Sequence, residues 1–289
     1  MRWPPPDDWP NRTLSQQVFC KPHRWHVQQT GTGSTLILLH GAGGSTHSYR
    51  DMIPLLAENF HVVAIDMPGQ GFTQLGARHR CGLDPMAQDA AALIAQEGWK
   101  PAALIGHSAG GALALRLSHL LPHTPAIIGV NPALGHFQGL AGVLFPVMAK
   151  LLALTPGAAG FFSRSAANPD RVRSLIETTG TTLPDDGLAL YRRLVGDRGH
   201  VDATLLMMAQ WSLDDLLRDL PQITAPTLFL AAERDEAVPP SVAETAAARM
   251  PNAEVTHLMG LGHLAHEEDP AQIARLIATF LSTVTPEHA

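Results

Sequence analysis

Short apolar runs recur along this chain at 25–29, 35–40, 61–66, 102–106, 126–130, 227–231 and 254–258. Between them lie stretches of helical length, including the Ala/Leu-rich 112–121 and a segment from Pro270 to Leu281. Strands alternating with helices predict an α/β architecture with a mostly parallel sheet, because parallel crossovers need long connections that cover both sheet faces. From Asn131 to Leu220 the pattern changes to helix-length segments rich in Leu, Ala, Met and Phe, punctuated by Gly and Pro. This predicts an inserted helical cap over 135–220, dividing a core into 1–134 and 221–289. Open α/β sheets bind ligands at the carboxyl ends of their strands, where such a cap would sit. Phe137, Phe145, Met148, Met207, Met208 and Trp211 are therefore the candidate pocket lining, together with His107 on the turn described next.

Gly106, His107, Ser108, Ala109 and Gly110 follow one strand-like run and precede a helix-like one. A G-x-S-x-G turn between a strand and a helix must be sharp to hold a serine hydroxyl clear of the sheet. Side chains two residues to either side would collide there, and glycine removes the collision. Ser108 is the candidate nucleophile. Upstream, the run 36–39 ends in His40, Gly41, Ala42, Gly43 and Gly44, a small-residue loop whose amides can face an anion. Ala42 and Ala109 are the candidate oxyanion donors, the latter at a helix N-terminus.

A serine at neutral pH needs a base to take its proton and an acid to orient that base. His263, on a loop after Gly260 and Gly262, is the candidate base; His257 falls inside a strand run, and His266 stands beside Glu267 and Glu268, where a solvated or packing role is expected. Asp235, after the run 227–231, is the candidate acid, with Glu233 and Glu236 as competitors. The end of the preceding strand run offers no acid, since Asn131 and Pro132 stand there. Asp66 is read as a turn-stabilising residue.

Composition narrows the alternatives. The chain has 289 residues, 45% of them hydrophobic, and a formal net charge of −6 without a Lys/Arg run, which gives no footprint for nucleic acid. Its two cysteines, Cys20 and Cys81, have no metal-ligand spacing. His263 and His266 form H-x-x-H but match neither zincin pattern, and no P-loop or dinucleotide glycine fingerprint occurs, so no metal or cofactor is expected. The first ten residues lack the basic and apolar regions of a signal peptide, and the apolar stretch 141–154 is too short to span a bilayer. A cytoplasmic location is expected, with weak membrane association left open.

The order Ser, Asp, His and the motifs His40–Gly41, 66–71, 106–110, Asp235 and His263 resemble the α/β-hydrolase superfamily over nearly the whole chain outside the cap. More narrowly, Trp9 to Arg12, Trp25 to Gln28, Thr46 to Ser48, Met207 to Trp211 and Gly262 to Glu268 resemble the magnesium-chelatase accessory family of bacteriochlorophyll biosynthesis (BchO). The superfamily resemblance implies hydrolysis of an ester, thioester or related acyl substrate, with perhydrolase and carbon–carbon hydrolase chemistry open to the same triad. The narrower one implies a role beside magnesium insertion into protoporphyrin IX, with chelatase subunits as partners and a tetrapyrrole as ligand. Without a P-loop the chain cannot be the ATP-driven motor. Two readings follow: a serine hydrolase, or a tetrapyrrole-binding chelatase assistant that does not turn over substrate.

Overall fold

The apolar runs pair edge to edge into one eight-stranded sheet, in the order β1-β2-β4-β3-β5-β6-β7-β8. The computed structural model describes residues 1–135 and 168–284. Its strands are β1 Ser15–Cys20, β2 His23–Thr30, β3 Thr35–Leu39, β4 His61–Ile65, β5 Pro101–His107, β6 Ala126–Val130, β7 Thr227–Ala232 and β8 Ala253–Leu258. From β4 to β8 every neighbouring pair is parallel, and β2 joins the sheet antiparallel to both β1 and β4.

The strand period of two sorts the core side chains. Ile37, Leu39, Val63, Ile65, Leu104, Ile127 and Phe229 face one side, with the helices Leu83–Glu97 and Ala109–Ser118. Leu36, Leu38, Val62, Ala64, Ile105, Ile128 and Leu230 face the other, with Met52–Ala57 and Pro270–Val284. Both faces are apolar, which is why these strands read as continuous hydrophobic runs in the sequence.

Strand β1 has no counterpart among the predicted runs. Its sequence SQQVFC is half polar, and it lies at the sheet edge, paired with β2 alone. Phe19 is 54% exposed there, and the Arg24 guanidinium lies 5.1 Å over its ring.

Between β6 and β7 the described residues form the helices Pro169–Glu177, Asp185–Gly196, Arg198–Gln210 and Asp214–Asp219. Val172, Ile176, Leu188, Tyr191 and Leu194 from this insertion bury themselves against Trp9, Phe72 and Leu264. The helices Pro169–Glu177 and Asp185–Gly196 thus rest on the N-terminal segment and the loops after β4 and β8, whereas Met207 and Leu216 of the two later helices join the core on the first sheet face.

Candidate active site

Ser108 sits between β5 and the helix Ala109–Ser118 at φ 52, ψ −118, a backbone conformation that costs energy for any residue with a Cβ. The glycines around it have a measurable cause. A Cβ on Gly106 would lie 2.1 Å from the Gly110 carbonyl oxygen, and one on Gly110 would lie 2.1 Å from that of Leu39. The turn is also stitched to β6, since the Ser108 amide donates to the Val130 carbonyl at 3.0 Å and the Ala133 amide donates to the Ser108 carbonyl at 3.0 Å.

Asp235 and His263 come from the loops after β7 and β8. His263 Nδ1 donates to Asp235 Oδ2 at 2.7 Å, and both residues are buried. Asp235 Oδ1 accepts the amides of Ala237 and Val238 at 2.8 and 2.7 Å, so both carboxylate oxygens are engaged. The competing acids are placed differently: Glu233 accepts the Gly260 amide on the surface, and Glu236 is exposed. His257 is paired with Glu244 on the exposed side of β8.

His107 is buried between two other imidazoles, 4.7 Å from His263 and 4.4 Å from His266 between ring centroids. Its Nε2 donates to the His263 carbonyl at 2.9 Å. Burial, then the neighbouring His266 and His263, push its basicity well below the ordinary histidine range, so it acts as a neutral donor. His266 is not solvated: it is buried, its Nε2 bonds to Ser48 Oγ at 2.8 Å, and burial pushes its pKa down to about 3. Glu267 beside it accepts from Ser48 Oγ, Tyr191 Oη and Arg50 Nη1 at 2.6, 2.5 and 2.5 Å.

The oxyanion-loop candidate is a tight turn. The Gly44 amide donates to the Gly41 carbonyl at 3.0 Å, and His40 Nδ1 donates to the same oxygen at 2.7 Å. Gly41 packs against Ser108, since a Cβ there would lie 3.1 Å from Ser108 Cβ. Ala42 and the helix-leading Ala109 thus belong to two segments that meet at the serine.

The sheet, turn and His–Asp pair coincide with a family signature. The family model for the alpha/beta hydrolase fold matches residues 34–270. The chain belongs to the α/β-hydrolase fold family. A magnesium-chelatase 30 kDa subunit from Rhodobacter capsulatus is 42% identical over 278 residues, covering 96% of this chain and 97% of its own. A pimeloyl-(acyl-carrier protein) methyl ester esterase from Xanthomonas oryzae pv. oryzae (strain MAFF 311018) is 26% identical over 283 residues, covering 90% of this chain and 99% of its own. The solved structure of epoxide hydrolase CorEH without ligand superposes with a TM-score of 0.79 at 20% identity, covering 93% of this chain and 98% of that one. That last likeness is one of fold.

The remaining pocket candidates of this α/β-hydrolase-fold protein are scattered. Met207 is buried, with Sδ 3.1 Å from Gln70 Nε2, whereas Met208 and Trp211 are half-buried and Trp211 packs toward the main core. Phe137, Phe145 and Met148 lie outside the described residues. A cleft of about 380 Å³ opens behind Asp235, lined by Glu177, Thr182, Glu233, Arg234 and Glu236 among others, and its lining includes neither Ser108 nor His263. Among the described residues no group of three His, Cys, Asp or Glu side chains is arranged to hold a metal, and no helix is long and apolar enough to cross a membrane.

Sequence reading missed two residues that hold the His–Asp pair. Asn131, at φ 46 just after β6, donates from Nδ2 to the carbonyls of Gly262 and His263 and accepts the Ala232 amide. Thr179, in the insertion, uses one carbonyl to accept the amides of both Glu236 and His263, each at 3.3 Å. The second is made possible by Gly180, whose φ of 77 and closeness to the Arg234 carbonyl leave no room for a Cβ. Polar residues in turns carry no periodicity, and only Asn131, an asparagine directly after a buried strand, offered a local signal.

A hydrogen-bonded Ser–His–Asp chain exists elsewhere, away from Ser108. Ser15 Oγ lies 3.0 Å from His26 Nε2, and His26 Nδ1 lies 2.6 Å from Asp66 Oδ2. Here the serine lies in a flat edge strand with its hydroxyl also taken by Gln28, and Asp66 accepts the amides of Thr46 and Phe72. It ties the edge of the sheet to two loops, in keeping with the structural role read for Asp66.

Proposed function

We propose that this protein is a serine hydrolase that cleaves an ester or thioester and serves the magnesium-chelatase step of bacteriochlorophyll biosynthesis. The observation that carries the chemistry is the buried 2.7 Å bond from His263 Nδ1 to Asp235 Oδ2, on the loops beside the Ser108 turn. That bond puts the imidazole proton on Nδ1, leaving Nε2 free as a base. Ser108 Oγ attacks the acyl carbonyl as His263 Nε2 takes its proton. The oxyanion takes hydrogen bonds from the Ala42 and Ala109 amides, and the protonated His263 then gives its proton to the departing alcohol or thiol. Water repeats the sequence in reverse to free the acid and Ser108.

The 42% identity with the Rhodobacter capsulatus chelatase subunit across nearly both chains supports the biological setting, and the esterase relative supports the reaction class. The inserted helices act as the cap that selects the acyl group. In a strain lacking this protein, Ser108→Ala at matched protein level is expected to fail to restore pigment. Full rescue of bacteriochlorophyll would sink the catalytic reading.

The same chelatase relative supports a second reading, in which the protein binds a tetrapyrrole and assists the chelatase without turnover. On that reading protoporphyrin IX changes its absorption spectrum on titration with the protein, and the Ser108→Ala variant behaves as wild type in both assays.

A further inference from the structure

We infer that His200, on the inserted helix Arg198–Gln210, is a positioning residue for the Ala42 oxyanion donor, acting through two peptide units of the 40–44 turn. This rests on the serine-hydrolase reading above.

The tautomer of His200 is set by its partners. The Gly71 amide donates to Nδ1 at 3.0 Å, so the ring proton is on Nε2, which donates to the Gly43 carbonyl at 3.0 Å. Burial holds the ring neutral, pushing its pKa down to about 4. The ring is fixed by its own helix, since Asp197 Oδ1 accepts the His200 amide at 2.8 Å and Thr204 Oγ1 donates to the His200 carbonyl.

The Gly43 carbonyl and the Gly44 amide belong to one peptide unit. That Gly44 amide donates to the Gly41 carbonyl at 3.0 Å. The Gly41 carbonyl and the Ala42 amide belong to the next unit in the relay. In a trans peptide the N–H points away from its own carbonyl, so pinning the Gly41 oxygen sets where the Ala42 N–H points. Each hydrogen bond accepted by a peptide oxygen also polarises the N–H of the same unit. The direction of donation therefore runs from His200 Nε2 through Gly43–Gly44 to Gly41–Ala42, ending on the donor that would meet the oxyanion.

Two further contacts hold the relay in place. His40 Nδ1 donates to the Gly41 oxygen, its Nε2 accepting the Met67 amide at 2.9 Å. Gln70 Oε1 accepts the Gly43 amide at 2.7 Å while its Nε2 faces Met207 Sδ on the inserted helix. Gly43 has φ 75, the left-handed region that favours glycine, so its carbonyl can turn toward the helix without strain. The helix also lies close on Gly69, where a Cβ would stand 2.5 Å from Ala203 Cβ. Seating of the inserted helix is thereby coupled to the geometry of the oxyanion donor.

A trifluoromethyl ketone tests this, because Ser108 Oγ adds to its carbonyl, the hydroxyl proton passes to His263, and the ketone oxygen becomes the oxyanion. Met and Gln are similar in shape, and only Gln can donate to the Gly43 carbonyl. His200→Met is expected to weaken ketone binding and lower kcat on a p-nitrophenyl ester, each about tenfold, with KM within about twofold, and His200→Gln is expected to recover most of the loss. Equal losses in Met and Gln variants, or a loss in KM alone, would overturn the assignment. Should either variant fail to fold, the wild type decides: 15N NMR is expected to show the His200 Nε2 and Gly44 protons moving downfield when the ketone binds, and unmoved signals count against the relay. A wild type inert to the ketone and to serine-directed phosphonates overturns the hydrolase reading and this inference with it, whereas normal wild-type reaction with an unaffected Met variant overturns the inference alone.

Discussion

Asn131 Nδ2 lies 2.8 Å from the main-chain oxygen of His263, so the strand next to the serine turn holds the loop of the base without touching its ring. Asn131 also donates to Gly262 and accepts from Ala232, joining the ends of β6 and β7 to the loop after β8. Asn131→Asp is expected to be worse than Asn131→Ala, because a carboxylate facing two carbonyl oxygens has no proton to give them. The expected loss for Asp is about 3 kcal/mol in urea unfolding, against about 1–2 for Ala. Equal effects of the two substitutions would contradict the role assigned to this side chain.

Asp235 orients His263 through one oxygen and is itself oriented by two amides through the other. In Asp235→Asn the amide nitrogen can face Nδ1 and force the ring proton onto Nε2, removing the base. Labelling by a fluorophosphonate is expected to slow by about four orders of magnitude while the melting temperature changes little. A variant that labels at the wild-type rate would exclude Asp235 as the acid.

Glu267 is a buried carboxylate holding Arg50 from the core and Tyr191 from the insertion. Removing it leaves the mostly buried Arg50 charge with only the exposed Asp51 carboxylate, 3.3 Å from Nε, so Glu267→Ala is expected to cost about 3 kcal/mol. Tyr191→Phe, which removes one donor and keeps the ring, is expected to cost about 1 kcal/mol. Denaturant midpoints of the two variants check the ratio, and a mild Glu267→Ala would show that water replaces the carboxylate.

Acid should destabilise the fold well before the carboxylates titrate. His200 and His266 have pKa values of about 4 and about 3 in the folded chain against 6.5 for an unperturbed histidine, with burial the main cause for both. Each therefore contributes stability that is fully present above pH 6.5 and is lost progressively as pH falls toward its folded pKa. Between pH 6 and 4.5 each is expected to remove about 1.4 kcal/mol per pH unit. Asp66 works in the same direction at lower pH. Burial tends to raise its carboxyl, but His26, His40 and the Phe72 amide outweigh that and hold it below the usual carboxylate range. Unfolding free energies measured against pH should lose one proton of slope in His266→Phe. An unchanged slope would mean that His266 is protonated in the folded protein.

The proposed catalytic positions were legible because their constraints are local. Gly106 and Gly110 are dictated by a turn five residues long, and the collisions that forbid a Cβ come from Gly110 itself and from the adjacent strand end at Leu39. The seven apolar runs became strands β2 to β8; in β3 to β7 both sheet faces are covered and every residue is buried or half-buried, whereas β8 at the sheet edge exposes Glu254 and His257. Strand β1 escaped because an edge strand needs one partner and tolerates polar side chains. A solvated or packing role was open to His266 because it stands beside two acids; the fold decides for burial, with Ser48 bonding His266 and with Arg50, Ser48 and Tyr191 satisfying Glu267 inside the protein.

The amino-acid pattern alone determined the seven apolar strand runs, the sharp turn at Ser108 and the Ser, Asp, His succession, since each depends on neighbours in the chain or on simple periodicity. Which polar residues support that set was decided only by tertiary structure. Thr179, Asn131 and His200 act on main-chain groups that lie 84, 132 and 157 residues away in sequence, by subtraction from His263 and Gly43. A peptide carbonyl or amide is the same at every position, so its need for a partner leaves no mark in the sequence until the fold brings the partner within hydrogen-bond distance.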